Sequence, residues 1–159
     1  EVFARIITFG KAMGCHGAAI LGSSNLKDFL INFARSFIYT TGLPPHTLAT
    51  IISAYAYLDS AEEERNKLLK NIDYFQQKLK TLKLDSLFIP SDSAIQSCLI
   101  PGNEKVKSIA KKFAEGGFDI KAILSPTVAE GQERLRFCIH SFNTEEDIAW
   151  ISQLLRKYL

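Results

Sequence analysis

Lys11 stands in the stretch TFGKAMGCHGAA, Thr8 to Ala19, just behind a short apolar run (Val2, Phe3, Ala4, Ile6, Ile7) that reads as a strand. A hydroxyl, Thr8, precedes it by three residues, and small residues follow it. Loops at the strand ends of α/β sheets are where ligands bind, and small residues let main chain come close to a bound group. Thr8 can donate its hydroxyl to a phosphate, while Lys11, once neutral, offers an amine that attacks a carbonyl. That is the Schiff-base chemistry of pyridoxal phosphate enzymes, in which the cofactor is the electron sink. From these residues alone, a lysine in a glycine-rich turn reads first as a solvated charge. A Walker A loop is excluded, because G-x-x-x-x-G-K-[ST] needs glycine where Arg5 stands and Ser or Thr where Ala12 stands. There is no G-x-G-x-x-G.

A second chemical group is Arg136, in ERLRF. On a strand it shares a face with Arg134, since side chains alternate. A guanidinium clasps a carboxylate through two parallel hydrogen bonds, which lysine does not match. Arg134 is the one better suited to a surface pair with Glu130 or Glu133. The histidines His16, His46 and His140 read as structural or solvated, and no paired ligand spacing supports a zinc site, so no metal is expected. Cys15 lies near the lysine, but no base follows it at a motif spacing.

Four separate stretches carry a resemblance. TFGKAMGCHGAAILGSS with FARSFIYTTGLPP (Phe33 to Pro45), SAIQSCLIPG (Ser93 to Gly102) and SPTVAEGQERLRFCIHSFNTEEDI (Ser125 to Ile148) together resemble the α-oxoamine synthases. These are fold-type I pyridoxal phosphate enzymes that condense an amino acid with an acyl-CoA and lose carbon dioxide. The resemblance implies that Lys11 holds the cofactor and later moves the proton at the substrate's α-carbon. That role demands an amine able to be neutral near pH 7, so its surroundings should lower its pKa. The resemblance also makes Thr8 a phosphate-binding hydroxyl. Thr41, at the end of FIYTT, would reach the phosphate of a partner subunit, so that the active site is shared across a homodimer. Arg136 aligns with the arginine for the amino-acid carboxylate, and Thr127, in SPTV, lines the substrate end. Some relatives carry an arginine where Leu124 stands, so a second arginine is absent or moved here. Within the family, TFGKA followed by GAA resembles the branch that joins L-alanine to pimeloyl-CoA or a pimeloyl carrier thioester. Glycine- and serine-using relatives usually carry a paired glycine where Gly17-Ala18 stands. A sister enzyme using serine or glycine is the alternative, and a non-catalytic α/β ligand-binding or interaction module is the alternative of another class.

The elements that must position these groups are legible in the periodicity. Ala18 to Leu21 reads as a second strand, and Ser23 or Ser24 caps a helix with an apolar stripe of Leu26, Phe29, Leu30, Phe33 and Phe37. Ser36 to Thr41 returns to β character. Pro44-Pro45 can open the next helix, with Leu48, Ile51, Ile52, Tyr55 and Leu58 on one face. Ser60 with Glu63 reads as a capping box for a longer helix with Leu68, Leu69, Ile72, Phe75, Leu79 and Leu82 inward. Short β runs (87–89, 95–100, 120–123, 135–139) then alternate with two helices. The first follows Asn103, buries Val106, Ile109 and Phe113, and stops at Gly116-Gly117. The second is capped by Asn143 with Glu146 and buries Ile148, Ile151, Leu154 and Leu155.

The expected architecture is α/β: a C-terminal fragment of a fold-type I transferase, comprising the end of the large domain and the small α+β C-terminal domain. Residues 1–84 would belong to the cofactor-binding large domain and 85–159 to the small one, with the boundary near Leu82 to Ser86. The chain starts at Glu1, read as already inside a strand, and the residues that pair the cofactor's pyridinium nitrogen and stack its ring are not in it. The 159 residues alone are therefore expected to be inactive. Nineteen basic against seventeen acidic residues, a net charge of +2, give no reason to expect nucleic acid or an anionic membrane as partner. No apolar run approaches a membrane span, and no basic-then-apolar leader pattern is present. Three widely spaced cysteines point to free thiols in a reducing, cytoplasmic setting.

Overall fold

The computed structural model describes residues 2–159. Glu1, expected within the first strand, lies outside the described residues. Two compact units form, one running to Glu62 and the other spanning Glu63–Leu159.

In the first unit, β1 (Ala4–Thr8) and β2 (Ala18–Gly22) make an antiparallel hairpin in which Thr8 faces Ala18 and Ala4 faces Gly22. Helix α1 (Ser24–Phe33) follows, with the Ser23 hydroxyl accepting from the amide of Leu26, so Ser23 is the cap. The expected β character of 36–41 is not found: Arg35–Ile38 forms a one-turn helix, α2. The aromatic and β-branched residues there favour a strand, but the amides of Phe37 and Ile38 both close on the carbonyl of Ala34, and no neighbouring strand takes them. Helix α3 (Pro45–Ser60) opens with proline in its first turn, as expected.

The stripes of α1 and α3 do not become a core. α1 buries nothing and α3 only Thr47, while Phe33 remains 68% exposed and Ile52 69%. A two-stranded hairpin with three helices gives these faces nothing to pack on within the unit. Ser60 is the last residue of α3 and its hydroxyl donates to the carbonyl of Tyr57, so the expected capping box does not form.

The second unit has a full core. Helix α4 (Glu62–Thr81) ends in Leu82-Lys83-Leu84, and a single 3-10 turn (Asp85–Leu87) leads into the sheet. The compact units part after Glu62, so almost all of α4 belongs with the sheet, while residues 82–86 mark where helix gives way to strand. β3 (Phe88–Ile89), β4 (Ile95–Leu99), β5 (Lys121–Ile123) and β6 (Arg134–Cys138) form an antiparallel sheet ordered β3-β4-β6-β5. Between them run α5 (Asn103–Glu115) and, after β6, α6 (Glu145–Tyr158). One sheet face contributes Cys98, Leu135 and Phe137 to a core completed by Phe75 and Leu79 of α4, Val106 and Phe113 of α5, and Ile148 and Leu155 of α6. Phe137 is its hub, with ring centroids 5.6 Å from Phe75, 5.8 Å from Phe88 and 6.0 Å from Phe113. Burial pushes the Cys98 thiol up to about 12.

At the start of α6 the cap is Thr144, not Asn143. The Thr144 hydroxyl accepts from the amide of Asp147, and the Asp147 carboxylate accepts from the amide of Thr144. Asn143 is used otherwise: its side-chain oxygen accepts from the amide of His140, while Asn71 of α4 donates to the carbonyls of both His140 and Asn143. Among the described residues no helix is long and apolar enough to cross a membrane.

Candidate active site

The lysine hairpin is built by its own main chain. The amide of Phe9 donates to the carbonyl of Gly17, and that of Cys15 to the carbonyl of Phe9, which closes the mouth of the loop. Inside it, Gly14 at φ +62° donates to the carbonyl of Lys11 and completes a turn whose first residue is the lysine. Phe9 and Cys15 are the buried side chains of the loop, Phe9 lying edge-on to Tyr55 at 6.3 Å. Lys11 and Thr8 are left outward and exposed, three residues apart at the end of β1. A Cβ at Gly17, where φ is +105°, would come within 3.0 Å of a Leu43 methyl carbon. The α2–α3 segment that carries exposed Thr41 therefore runs beside the hairpin.

No carboxylate lies within ion-pairing distance of Lys11 among the described residues. An exposed amine, a hydroxyl three residues before it and a tight turn without side-chain bulk at Gly10 and Gly14 form a donor set that fits a phosphate-bearing aldehyde. The described residues hold no group of His, Cys, Asp and Glu suited to a metal ion.

In the second unit, Arg136 points from the sheet face opposite the core, as alternation requires. Its cross-strand neighbours are Ser97 of β4 and Lys121 of β5, and Lys121 is paired with Asp119 at 2.7 Å. No carboxylate pairs with Arg136 among the described residues, so its guanidinium is unused. It lines a cavity of about 470 Å³ with Lys121, His140, Phe142 and Ile151. Thr127 is exposed on the loop between β5 and β6. Leu124, where some relatives carry an arginine, packs in part against the core.

The carboxylate pair expected for Arg134 is not made. Its Nε donates to the carbonyl of Gln132, while Glu133 turns inward, only 2% exposed, and accepts from the amide of Gly102 at 2.9 Å. Sequence reasoning missed Glu133 and Asn103 as structural anchors. The signal for Glu133 was present, because it shares parity with Leu135, Phe137 and Ile139, all of them inward.

A family profile for aminotransferase class I and II matches residues 4–151. An 8-amino-7-oxononanoate synthase from Emericella nidulans is 36% identical over a match covering 100% of this chain and 40% of the relative. One from Photorhabdus laumondii is 33% identical, with 96% and 39% covered. The crystal structure of 8-amino-7-oxononanoate synthase from Francisella tularensis superposes with a TM-score of 0.84 at 28% identity, over 98% of this chain and 45% of that one. A Sphingomonas wittichii serine palmitoyltransferase shares the fold with a TM-score of 0.84 at 20% identity, over 99% and 39%. The chain thus spans about two fifths of the length of the curated relatives it matches.

Proposed function

Since the chain belongs to the aminotransferase class I and II family, we propose that it acts as part of a pyridoxal phosphate-dependent acyltransferase. The reaction joins L-alanine to pimeloyl-CoA or a pimeloyl carrier thioester, releasing carbon dioxide and the thiol and giving 8-amino-7-oxononanoate for biotin synthesis. The observation that carries this reading is the 36% identity to a synthase of that name across the whole of the chain. In the parent enzyme, residues 1–84 end the cofactor-binding domain, 85–159 form the small domain, and α4 connects them. The apolar faces that α1 and α3 leave in water support that assignment, being surface a larger domain would cover.

Lys11 is the residue that would hold the cofactor covalently, and Thr8 would donate its hydroxyl to the phosphate. Thr41 would serve the phosphate of a second copy in a cytoplasmic homodimer. When bound, pyridoxal phosphate supplies an electron sink that acidifies the hydrogen on the amino acid's α-carbon. The Lys11 amine takes and returns that proton. Arg136 clasps the substrate carboxylate with two parallel hydrogen bonds, and its guanidinium, which no carboxylate among the described residues pairs, makes that face attractive to an anion. Thr127 lines the same end of the substrate.

The test is the visible spectrum of the full-length enzyme with pyridoxal phosphate, followed by separate additions of L-alanine, glycine and L-serine. A cofactor band that shifts most with L-alanine, and that Lys11→Ala abolishes, is the expected result. A serine or glycine preference would keep the family and change the substrate. The absence of any band would leave a ligand-binding or interaction module with this fold.

A further inference from the structure

We propose that Asn103 and Glu133 are positioning residues for the amino-acid end of the site: they fasten both ends of the β5–β6 loop to one corner of the fold and thereby hold Thr127 and Arg136 in place. This rests on the functional reading above. The loop spans 124–133, and its two ends meet the same short stretch, Ile100 to Asn103, where β4 turns into α5. At the first end the side-chain amide of Asn103 satisfies both main-chain groups of Ser125. Its Nδ2 donates to the Ser125 carbonyl at 3.3 Å, and its Oδ1 accepts from the Ser125 amide at 3.0 Å. One side chain thus supplies the two-bond pattern of a strand pair to a residue that has no strand beside it. At the other end, the Glu133 carbonyl accepts from the amide of Ile100 at 2.8 Å, and its carboxylate accepts from the amide of Gly102 at 2.9 Å.

Between these anchors the loop makes two main-chain bonds of its own, and Arg134 of β6 donates from Nε to the carbonyl of Gln132. The amide of Val128 donates to the carbonyl of Leu124, and that of Gln132 to the carbonyl of Ala129, with Gly131 at φ +82° turning the chain. The loop and its corner border a cavity of about 510 Å³ lined by Pro101, Gly102, Asn103, Ser125, Glu130 and Glu133. The hydrogen bonds of Asn103 and Glu133, with the partial packing of Leu124 and the Arg134 bond to Gln132, restrain its course. Burying a carboxylate is unfavourable unless it is fully bonded. The amide of Gly102 foremost, with those of Glu133 itself and Gly131, holds the Glu133 carboxyl below its ordinary range, against the smaller opposing effect of burial. Thr127 follows the first anchor by two residues and Arg136 follows the second by three, so each substrate-facing group is close to a fixed point. A two-pronged carboxylate clasp tolerates little displacement.

The experiment uses the full-length enzyme and the variants Asn103→Ala, Asn103→Asp, Glu133→Ala and Glu133→Gln, each followed by cofactor absorbance and by kinetics with L-alanine. Either alanine variant should raise the KM for the amino acid about five- to tenfold, with kcat changed less than about twofold. Cofactor absorbance should not change. Asn103→Asp retains the acceptor for Ser125 and loses the donor, so it should fall between wild type and Asn103→Ala. Glu133→Gln can still accept from Gly102 and should recover most of the loss. Should the alanine variants fail to fold, Asn103→Asp decides, and a wild-type KM in that variant overturns the assignment. A normal amino-acid response that Asn103→Ala and Glu133→Ala leave untouched, or one in which KM, kcat and cofactor occupancy fall together, also overturns it. If the unmodified enzyme responds to no amino acid, the functional reading falls first and this assignment with it.

Discussion

Arg136 owes its value to the company it does not keep. Among the described residues it has no carboxylate partner, and Lys121 stands directly across the strand pair with its own charge already met by Asp119. Replacing Arg136 by lysine keeps the charge and removes the fork, so amino-acid binding in the full-length enzyme should weaken by about 1.5–3 kcal/mol, read as a rise in KM. An unchanged KM would remove Arg136 from the site. The thiols make a second prediction at this scale. Cys138 is exposed and Cys98 is wholly buried, its thiol pushed up to about 12. A thiol reagent at neutral pH should label Cys138 first and Cys98 only on unfolding, and rapid modification of Cys98 in the native chain would contradict the packing of β4. Lys11 and Arg136 stand out in the sequence only through the family motifs around them, since by residue type alone a lysine in a glycine-rich turn reads as a solvated charge. Glu133 was harder to see. Its neighbours Arg134 and Arg136 suggest ion pairing, and only the alternation of β6 shows that it must face inward and find amides instead.

Elements were legible where a local pattern met a complete surrounding. The inward faces of α5 and α6 follow from their spacing, because the sheet they pack on lies in the same unit. In α4 the same logic is right for Ile72, Phe75 and Leu79 and wrong for Leu69, which the structure leaves 55% exposed. Phe75→Ala should cost about 3–5 kcal/mol in urea unfolding of the second unit, because its ring contacts Phe88 and Phe137. Leu69→Ala should stay within about 0.5 kcal/mol. Capping was read one residue early, at Asn143, because Asn and Thr are both good caps and only the reciprocal Thr144–Asp147 bonds distinguish them. Those bonds carry a pH dependence. The amide of Thr144 first, then its hydroxyl, holds the Asp147 carboxyl below its ordinary 3.8. A depressed carboxyl stabilises the fold fully above its unfolded value and loses that contribution as pH falls through the lower folded value. Asp147→Asn should therefore melt below wild type at neutral pH, and the gap should close in acid below 3.8. A gap that persists there would mean that the charge is not what stabilises the cap.

At the scale of the whole chain, the α-oxoamine synthase resemblance read from four motifs is borne out by relatives and folds of that kind, yet the two units differ in what they bury. The second gathers α4, α5, α6 and one sheet face around Phe137. The first buries Phe9, Cys15, Thr47 and Ala61, while Phe3 and Tyr39 are about 80% exposed. Periodicity announces that a helix has an apolar face but not which chain segment lies against it, so the stripes of α1 and α3 read as core from sequence and remain at the surface. Resistance to opening follows buried apolar contact. Hydrogen exchange on the 159-residue chain should then show strong protection in β4, β6, α5 and α6 and weak protection throughout α1, α2 and α3. In the full-length enzyme, protection of α1 and α3 should rise toward that of the second unit, since surface that is apolar and exposed here would be covered there. Equal protection of both units in the short chain would mean that hairpin and capping bonds suffice to hold the first unit. Persistently weak protection in the long chain would mean that those faces are left for another partner.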